Sequence, residues 1–432
     1  SAVRRAASSA AHIYGKNQVF AEAFTAGFNF RQYPAIMKPL GDLMFCEGIN
    51  HLVHHVYIHQ PHNDLKPGVT AWFGMSYQRH NTWFGQSKAW NDYLMRCHYM
   101  LQKGLPVSDI CYFIGEDAPK MAGSLSPELA IGFDYGFINA DVLLHQMSIK
   151  DGKLWLPHGK TYELLVLPPQ KSMRPEILHK IAELVKNGAR VYGSPPEHSP
   201  SLQGYPDTDT EVQQLARTLW SKSSPASQAF KGQVFENLPL PHVLKQLLIQ
   251  PDVICSDTSI HWTHRRIAEG EIYFISNQED QAKEVEVSFR VSGKAPEIWD
   301  PADGSIYTTA WFHQEGNRTT VRLPLDEYGS TFVVFRKPFT GFTVSEIKVN
   351  GNDLKFIGSP AEKVSFSHVS NRTISFSASL PGSFGINMTD GKKYTIELVE
   401  IPAPIVLSGP WEVDFAMNSE VYVTETFDQL QS

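Results

Sequence analysis

Apolar and polar positions follow three successive patterns along the chain, and each predicts a different architecture. Through residues 1–104, strand-like and helix-like stretches take turns. AVRRAASSAAHIYG reads as an Ala-rich helix stopped at Gly15, followed by a strand over 17–25 (QVFAEAFT) and a helix over 33–47 with Pro34 in its first turn. A second strand spans 49–59, and a helix over 84–103 closes at Gly104. Alternation of this kind predicts β/α units. Two such units are a quarter of an eight-unit barrel and would leave apolar strand edges unpaired, so they are expected to be the last units of a (β/α)8-type barrel whose other units lie upstream. A smaller open α/β sheet is the alternative.

The second pattern covers residues 105–220. Strands VSDICYFIG, YELLVLPP and RVYGSPP are interleaved with FDYGFINADVLLHQMSI and the amphipathic helix PEILHKIAELVKNGA. This predicts a small doubly wound, Rossmann-like α/β domain with parallel strands. No GxGxxG follows its first strand, so a dinucleotide site is not expected, and the domain is read as a wall beside the barrel. Residues 221–250, with the Ser-rich piece SKSSPASQ and a polar helix, read as a linker.

The third pattern is short alternating strands separated by turn signals. HWTHRRI, EIYFISN, KEVEVSFRV, TVRLPL and STFVVFRK predict a β-sandwich over 251–338, and VSEIKVN, RTISFSASL and KYTIELVEI predict a second sandwich module over 339–404. IVLSGPWEVDF and VYVTETF read as the start of an incomplete β domain over 405–432. The expected fold class is therefore multidomain: part of a (β/α)8-type barrel, a small doubly wound α/β domain, then β-sandwiches.

Composition narrows the function classes. The 432 residues are too many for one core. A net charge of −7 without a long basic run gives no electrostatic footprint for nucleic acid. No apolar stretch reaches the about 18 residues of a membrane span, and the first residues lack the apolar centre of a signal peptide. The four cysteines, Cys46, Cys97, Cys111 and Cys255, have no CxxC spacing and read as free, mostly buried thiols.

The candidate chemistry gathers between Gln18 and Pro61. Glu22 ends one predicted strand and a run of histidines ends the next, and barrel enzymes collect their reacting groups at the carboxyl ends of strands. Side chains two apart on a strand share a face, which groups His51, Val53, His55, Tyr57 and His59 and puts the apolar-faced His54 in the core. His55, His59, Gln60 and Asn50 are candidate partners for sugar hydroxyls. Zinc is disfavoured, because same-face residues on a strand lie about 6.6 Å apart. Trp72, Trp83 and Trp90 flank the loop after the histidines, and an exposed indole there could stack on a sugar. Trp83 is the choice, with Trp90 read as core. Glu47, Glu116 and Asp117 read as surface carboxylates, and His264, Arg265 and Arg266 as a domain-interface salt bridge.

Several words of the sequence, in order, resemble bacterial α-L-rhamnosidases of glycoside hydrolase family 106. They are AEAFT (21–25), GIN followed by HHVYIHQP (48–61), PGVTAWFG with NTWF (67–84), GFDYGFIN (132–139), YELLVLPP (162–169), HWTHRR with YFISN (261–277) and WDPADG (299–304). The resemblance implies an inverting, calcium-dependent, periplasmic or extracellular hydrolase acting on α-L-rhamnosides of plant-type polysaccharides. It also implies that the proton donor comes from an earlier barrel strand, outside this sequence, so this chain alone is expected to hydrolyse little. Inversion needs two carboxyl groups about 6.5 to 9.5 Å apart, and Glu22 is the candidate general base. Calcium would need several oxygen donors; the Asn63–Asp64 loop and the Asp134 region are possible sources, with no ligands assigned. Two alternatives stand: a retaining β-galactosidase-like hydrolase with Glu22 as nucleophile, and a carbohydrate-binding fragment without catalysis. Sequons at Asn317, Asn371 and Asn387 would matter only in a eukaryotic secretory route. The sequence leaves the oligomeric state open.

Overall fold

The structure, a computed structural model, describes residues 2–25, 30–116, 125–221, 228–354, 364–370, 373–402, 405–416 and 422–429. Asp117, Asn371 and most of the Ser-rich piece SKSSPASQ lie outside the described residues.

The first pattern forms helix α1 (Ala2–Ile13), strand β1 (Phe20–Ala23), helix α2 (Pro34–Cys46), strand β2 (His51–His54) and helix α3 (Ser87–Leu101). The two strands pair in parallel, from Phe20 opposite His51 to Ala23 opposite His54. Neighbours in a parallel pair share a face. Ala21, Ala23 and Leu52 turn toward the helices and join a core with Met37, Met44 and Phe45 of α2 and Trp90, Leu94 and Cys97 of α3. Phe20 and Val53, on the opposite face, are 71% and 44% exposed. Both strands are shorter than the sequence predicts. After His54 the chain leaves the sheet for a long loop that supplies its own hydrogen bonds.

The second pattern builds a five-stranded parallel sheet from Ile110–Phe113, Tyr135–Ile138, Leu164–Val166, Arg190–Tyr192 and Gln233–Phe235. Numbered in chain order, these strands lie 5-4-3-1-2 across the sheet, which is the flavodoxin-like doubly wound order. The fifth strand corrects the sequence reading. Gln233–Phe235 falls in the stretch expected to be linker, yet it pairs with Arg190–Tyr192 and buries Val234 and Phe235. Helix Asp207–Trp220 was also not foreseen; its polar sequence DTDTEVQQLARTLW buries only Val212, Ala216 and Leu219. In this topology ligands bind between strands 1 and 3, beyond their carboxyl ends. Here a side chain at Gly115 would collide with the Gln170 amide, and Glu116 is ion-paired with Arg174. Among the described residues, Gln170 and the Glu116–Arg174 pair take up part of that crevice.

A six-stranded and a four-stranded antiparallel sheet then face each other across a core containing Tyr273, Phe289, Val321 and Phe335. Leu105–Pro106 adds an edge strand to the larger sheet by pairing with Ile260–Ile267. The other face of that sheet supplies Phe274 and Phe332 to the core of the first region, so the helices of the β/α units rest on the sandwich. A further four-stranded sheet and the hairpin Val364–Ser370/Thr373–Ala378 enclose Ile347, Phe366 and Phe384. Trp411–Ala416 and Tyr422–Phe427 form the last hairpin.

Candidate active site

β1 brings Glu22 to one residue before its carboxyl end, opposite Val53 and on the same face as Phe20. The side chain is exposed, and Thr25 Oγ1 donates to Glu22 Oε1 at 2.5 Å. The neighbouring strand end is tied to the same place, because the His55 N–H donates to Ala23 O at 3.2 Å. Glu22 and His55 therefore leave adjacent strand tips.

His55 does not continue the strand. Its ring stacks on Phe73, with centroids 4.9 Å apart and planes at 17°. The returning chain is fixed beside it by Met75 N–H to His55 O at 2.8 Å and Val56 N–H to Met75 O at 3.3 Å. The alternation expected from His51 to His59 thus stops at His54. His59 lies exposed on the loop. His54 behaves as the core histidine expected: Trp90 Nε1 donates to its Nε2 at 3.1 Å, its ring stacks on Tyr77, and burial lowers its pKa. Behind β2, His98 Nε2 accepts from the Leu52 N–H at 3.0 Å, and burial, then the nearby His51 and His54, push its pKa down to about 4.

Three expected sugar contacts are corrected. Asn50 is 2% exposed. Its Oδ1 accepts from the Val19 N–H at 2.8 Å and its Nδ2 donates to Asn17 O and Leu101 O, so it pins the amino-terminal ends of the strands, opposite the tips that carry Glu22. Gln60 is equally committed: its Nε2 donates to Ile58 O and Val69 O, and its Oε1 accepts from the Val69 N–H. Trp83 is half-buried, packs against the core of the β/α units, and donates from Nε1 to Gln32 O at 2.9 Å. Trp72, by contrast, is 81% exposed. An amide or an indole looks the same in a sequence whether its partner is backbone or ligand, and only tertiary packing separates these cases.

Among the described residues, no group of three or more His, Cys, Asp or Glu side chains is placed to hold a metal ion. In the two suggested calcium regions, Arg79 donates to Asn63 Oδ1 at 2.7 Å and Arg5 pairs with Asp134 at 2.7 Å, so no calcium ligand is assigned among the described residues.

Other charged groups are engaged in structure. Glu47 pairs with Arg4. Asp42, fully buried in α2 and missed by sequence reading, accepts from Lys38 and Tyr93; burial raises its pKa, against the pull of Lys38. Lys38 and Tyr93 also reach Ser330 of the sandwich. His264 sits between Asp252 and Glu271, at 2.6 and 2.9 Å. Arg265 donates to Lys103 O and Gly104 O, bridging to the end of α3. The expected domain-interface salt bridge is therefore corrected: the ion pairs of His264 and Arg266 lie within the sandwich, and Arg265 crosses to the end of α3 through carbonyls.

The chain has clear relatives. A protein of Formosa agariphila named "Putative beta-glucuronidase" is 38% identical over 331 residues, which is 76% of this chain and 28% of that protein. The solved structure of a rhamnosidase from Novosphingobium sp. PP1Y superposes with a TM-score of 0.72 at 31% identity, covering 81% of this chain and 35% of that one. The chain thus spans about a third of the length of these relatives. A family model described as alpha-L-rhamnosidase, glycoside hydrolase family 106, matches residues 1–313. Strand tips carrying Glu22 and His55 therefore belong to a member of the α-L-rhamnosidase family, glycoside hydrolase family 106.

Proposed function

We propose that this chain carries the general-base side of an inverting hydrolase acting on α-L-rhamnosides of plant-type polysaccharides, outside the cytoplasm. The observation that carries the reading is the exposed Glu22 carboxylate at the tip of β1, beside the tip that carries His55, in a chain of this family. Two parallel β/α units with helices on one face and exposed side chains on the other suit part of a barrel whose inner face is Phe20, Glu22 and Val53. In the proposed reaction Glu22 takes a proton from a water molecule as that water attacks the anomeric carbon. A second carboxyl group protonates the departing oxygen. Glu47 and Glu116 are held by Arg4 and Arg174, so the proton donor is assigned to the part of the relatives that this chain does not span. His55 and His59 are assigned to sugar hydroxyls.

Glu22→Gln in a protein that spans the relatives' full length is expected to lower turnover by about 10² to 10⁴ while substrate still binds. Unchanged turnover rejects the assignment. Nuclear magnetic resonance of the first-formed sugar separates mechanisms: β-L-rhamnose marks inversion, and the α anomer the retaining alternative with Glu22 as nucleophile. The name of the Formosa relative favours a second substrate reading, a hexuronide, which parallel assays on rhamnosides and glucuronides distinguish. The carbohydrate-binding alternative predicts that Glu22→Gln alters neither binding nor any turnover.

A further inference from the structure

The loop between β2 and α3 holds a large apolar side chain out of the core on a rigid support. Trp72 is 81% exposed, more than any other aromatic side chain among the described residues. A mobile loop would explain this cheaply, but the loop is pinned from within. Besides Gln60, Gln78 Nε2 donates to Pro67 O at 2.7 Å, Asn81 Nδ2 to Ser76 O at 2.8 Å, and Arg79 Nη2 to His62 O at 3.1 Å. The amide side chains of Gln60, Gln78 and Asn81 are spent on the loop's own backbone, while its Trp72 ring is left in water. Such an arrangement is preorganised for a partner, because little conformational freedom remains to be lost on binding.

The ring also has a built backing. Trp72 meets Phe73 edge to face at 4.3 Å, and Phe73 stacks on His55 at 4.9 Å. Gly74 makes this possible: its φ is +102°, and a Cβ there would sit 2.6 Å from His55 Nδ1. The three rings form a wall that begins at the strand tip beside Glu22 and runs outward to Trp72. Tyr57, 61% exposed, lies on the chain that pairs with the returning segment, its ring 6.4 Å from Tyr77. Trp72, Phe73 and Tyr57 carry no carboxylate or ammonium, so the wall offers apolar faces and not charge.

We propose that Trp72, backed by Phe73 and His55, is a stacking platform for a neutral pyranose of the glycan chain, one or more sugars beyond the bond addressed at Glu22. The inference rests on the hydrolase reading and deepens it. Indole faces suit the C–H face of a pyranose ring, and continuity with the Glu22 strand tip places that ring on the same glycan.

The test is titration calorimetry of this chain and its Trp72→Ala and Trp72→Phe variants with a rhamnose-capped neutral tetrasaccharide. Kd is expected to rise about tenfold in Trp72→Ala and by about threefold or less in Trp72→Phe, which keeps an aromatic face. Equal Kd values in the three proteins overturn the proposal, as does failure of the unaltered chain to bind. A lower melting temperature in Trp72→Ala with Kd unchanged also overturns it, and identifies the ring as a packing partner of Phe73 within the loop. Failure of the catalytic reading is separable: if Glu22→Gln leaves turnover intact while Trp72→Ala loses binding, the platform stands and the general-base assignment falls.

Discussion

The tip of β2 and the middle of the Ile260–Ile267 strand each carry histidines, and the two places treat them in opposite ways. His264 is 3% exposed, and both ring nitrogens are bonded to carboxylates, Asp252 and Glu271. Tyr273 stacks on it at 3.9 Å and donates to Asp252 Oδ1 at 2.9 Å, while Arg290 bridges Asp252 and Asp109. Every charge in that knot has a partner inside the protein. At the strand tips, Glu22 accepts from Thr25, the one hydrogen bond it makes among the described residues, His59 is exposed, and His55 presents a ring face to Phe73. A buried charge must be satisfied internally or it costs several kcal/mol, whereas a group left open to solvent costs little and remains free to act on a ligand. The contrast separates groups that hold the fold from groups offered to chemistry.

The sharpest way to break this comparison is to remove the centre of the closed knot. His264→Ala removes one cation from buried Asp252 and from half-buried Glu271, which keep Arg290 and Arg266, and is expected to cost about 3–5 kcal/mol. Chemical denaturation followed by circular dichroism measures it. A loss below about 1 kcal/mol would place the knot among surface ion pairs of little consequence.

A smaller effect is expected at Asn50, which sorts the residues of the β/α region itself. Its side chain ties Asn17, Val19 and Leu101 together. Asn50→Ala strands a buried N–H and two carbonyls and should cost about 1–3 kcal/mol. If Asn50 were a sugar contact instead, the variant would keep its stability and lose glycan affinity. Calorimetric unfolding and titration of the same sample separate these outcomes.

Much of this organisation was legible in the sequence because it follows local periodicity. The order of strand and helix in residues 1–104 and the alternating sandwich strands follow from spacing of two or about 3.6. Elements with a short or mostly polar sequence escaped, the helix Asp207–Trp220 among them. QVF at 233–235 is three residues long and becomes a strand only because Arg190–Tyr192 lies beside it. The candidate site divided along the same line. The place of Glu22 at an exposed strand tip was readable because it closes an apolar strand, and that of His54 because its face is apolar. Asn50, Gln60, Trp72 and Trp83 were not, since their roles depend on which backbone groups the folded loop brings within reach. His264 stood between: its charged neighbours in HWTHRR pointed to an interface, but Asp252 joins it only through the fold.

The finest test of the comparison is pH, which should act on the closed knot with a definite sign. Burial alone would depress the His264 pKa, but the charge and hydrogen bond of Asp252, and then those of Glu271, raise it above 6.5. Asp252 and Glu271 are correspondingly lowered, against burial, by His264 and the neighbouring arginines. A group whose pKa is raised on folding contributes stability that is complete below its unfolded value and fades as pH climbs through its folded value. Lowered carboxylates contribute above their unfolded values and fail as pH falls through the folded ones. The knot is therefore strongest between the ordinary carboxylate range and the ordinary histidine range. Thermal unfolding of the unaltered chain from about pH 5 to 9 should show the midpoint falling on the alkaline side, and the gap to His264→Gln narrowing over the same interval. A gap that widens with pH would mean that His264 is buried neutral, and the two carboxylates would then rest on Arg290 and Arg266 alone.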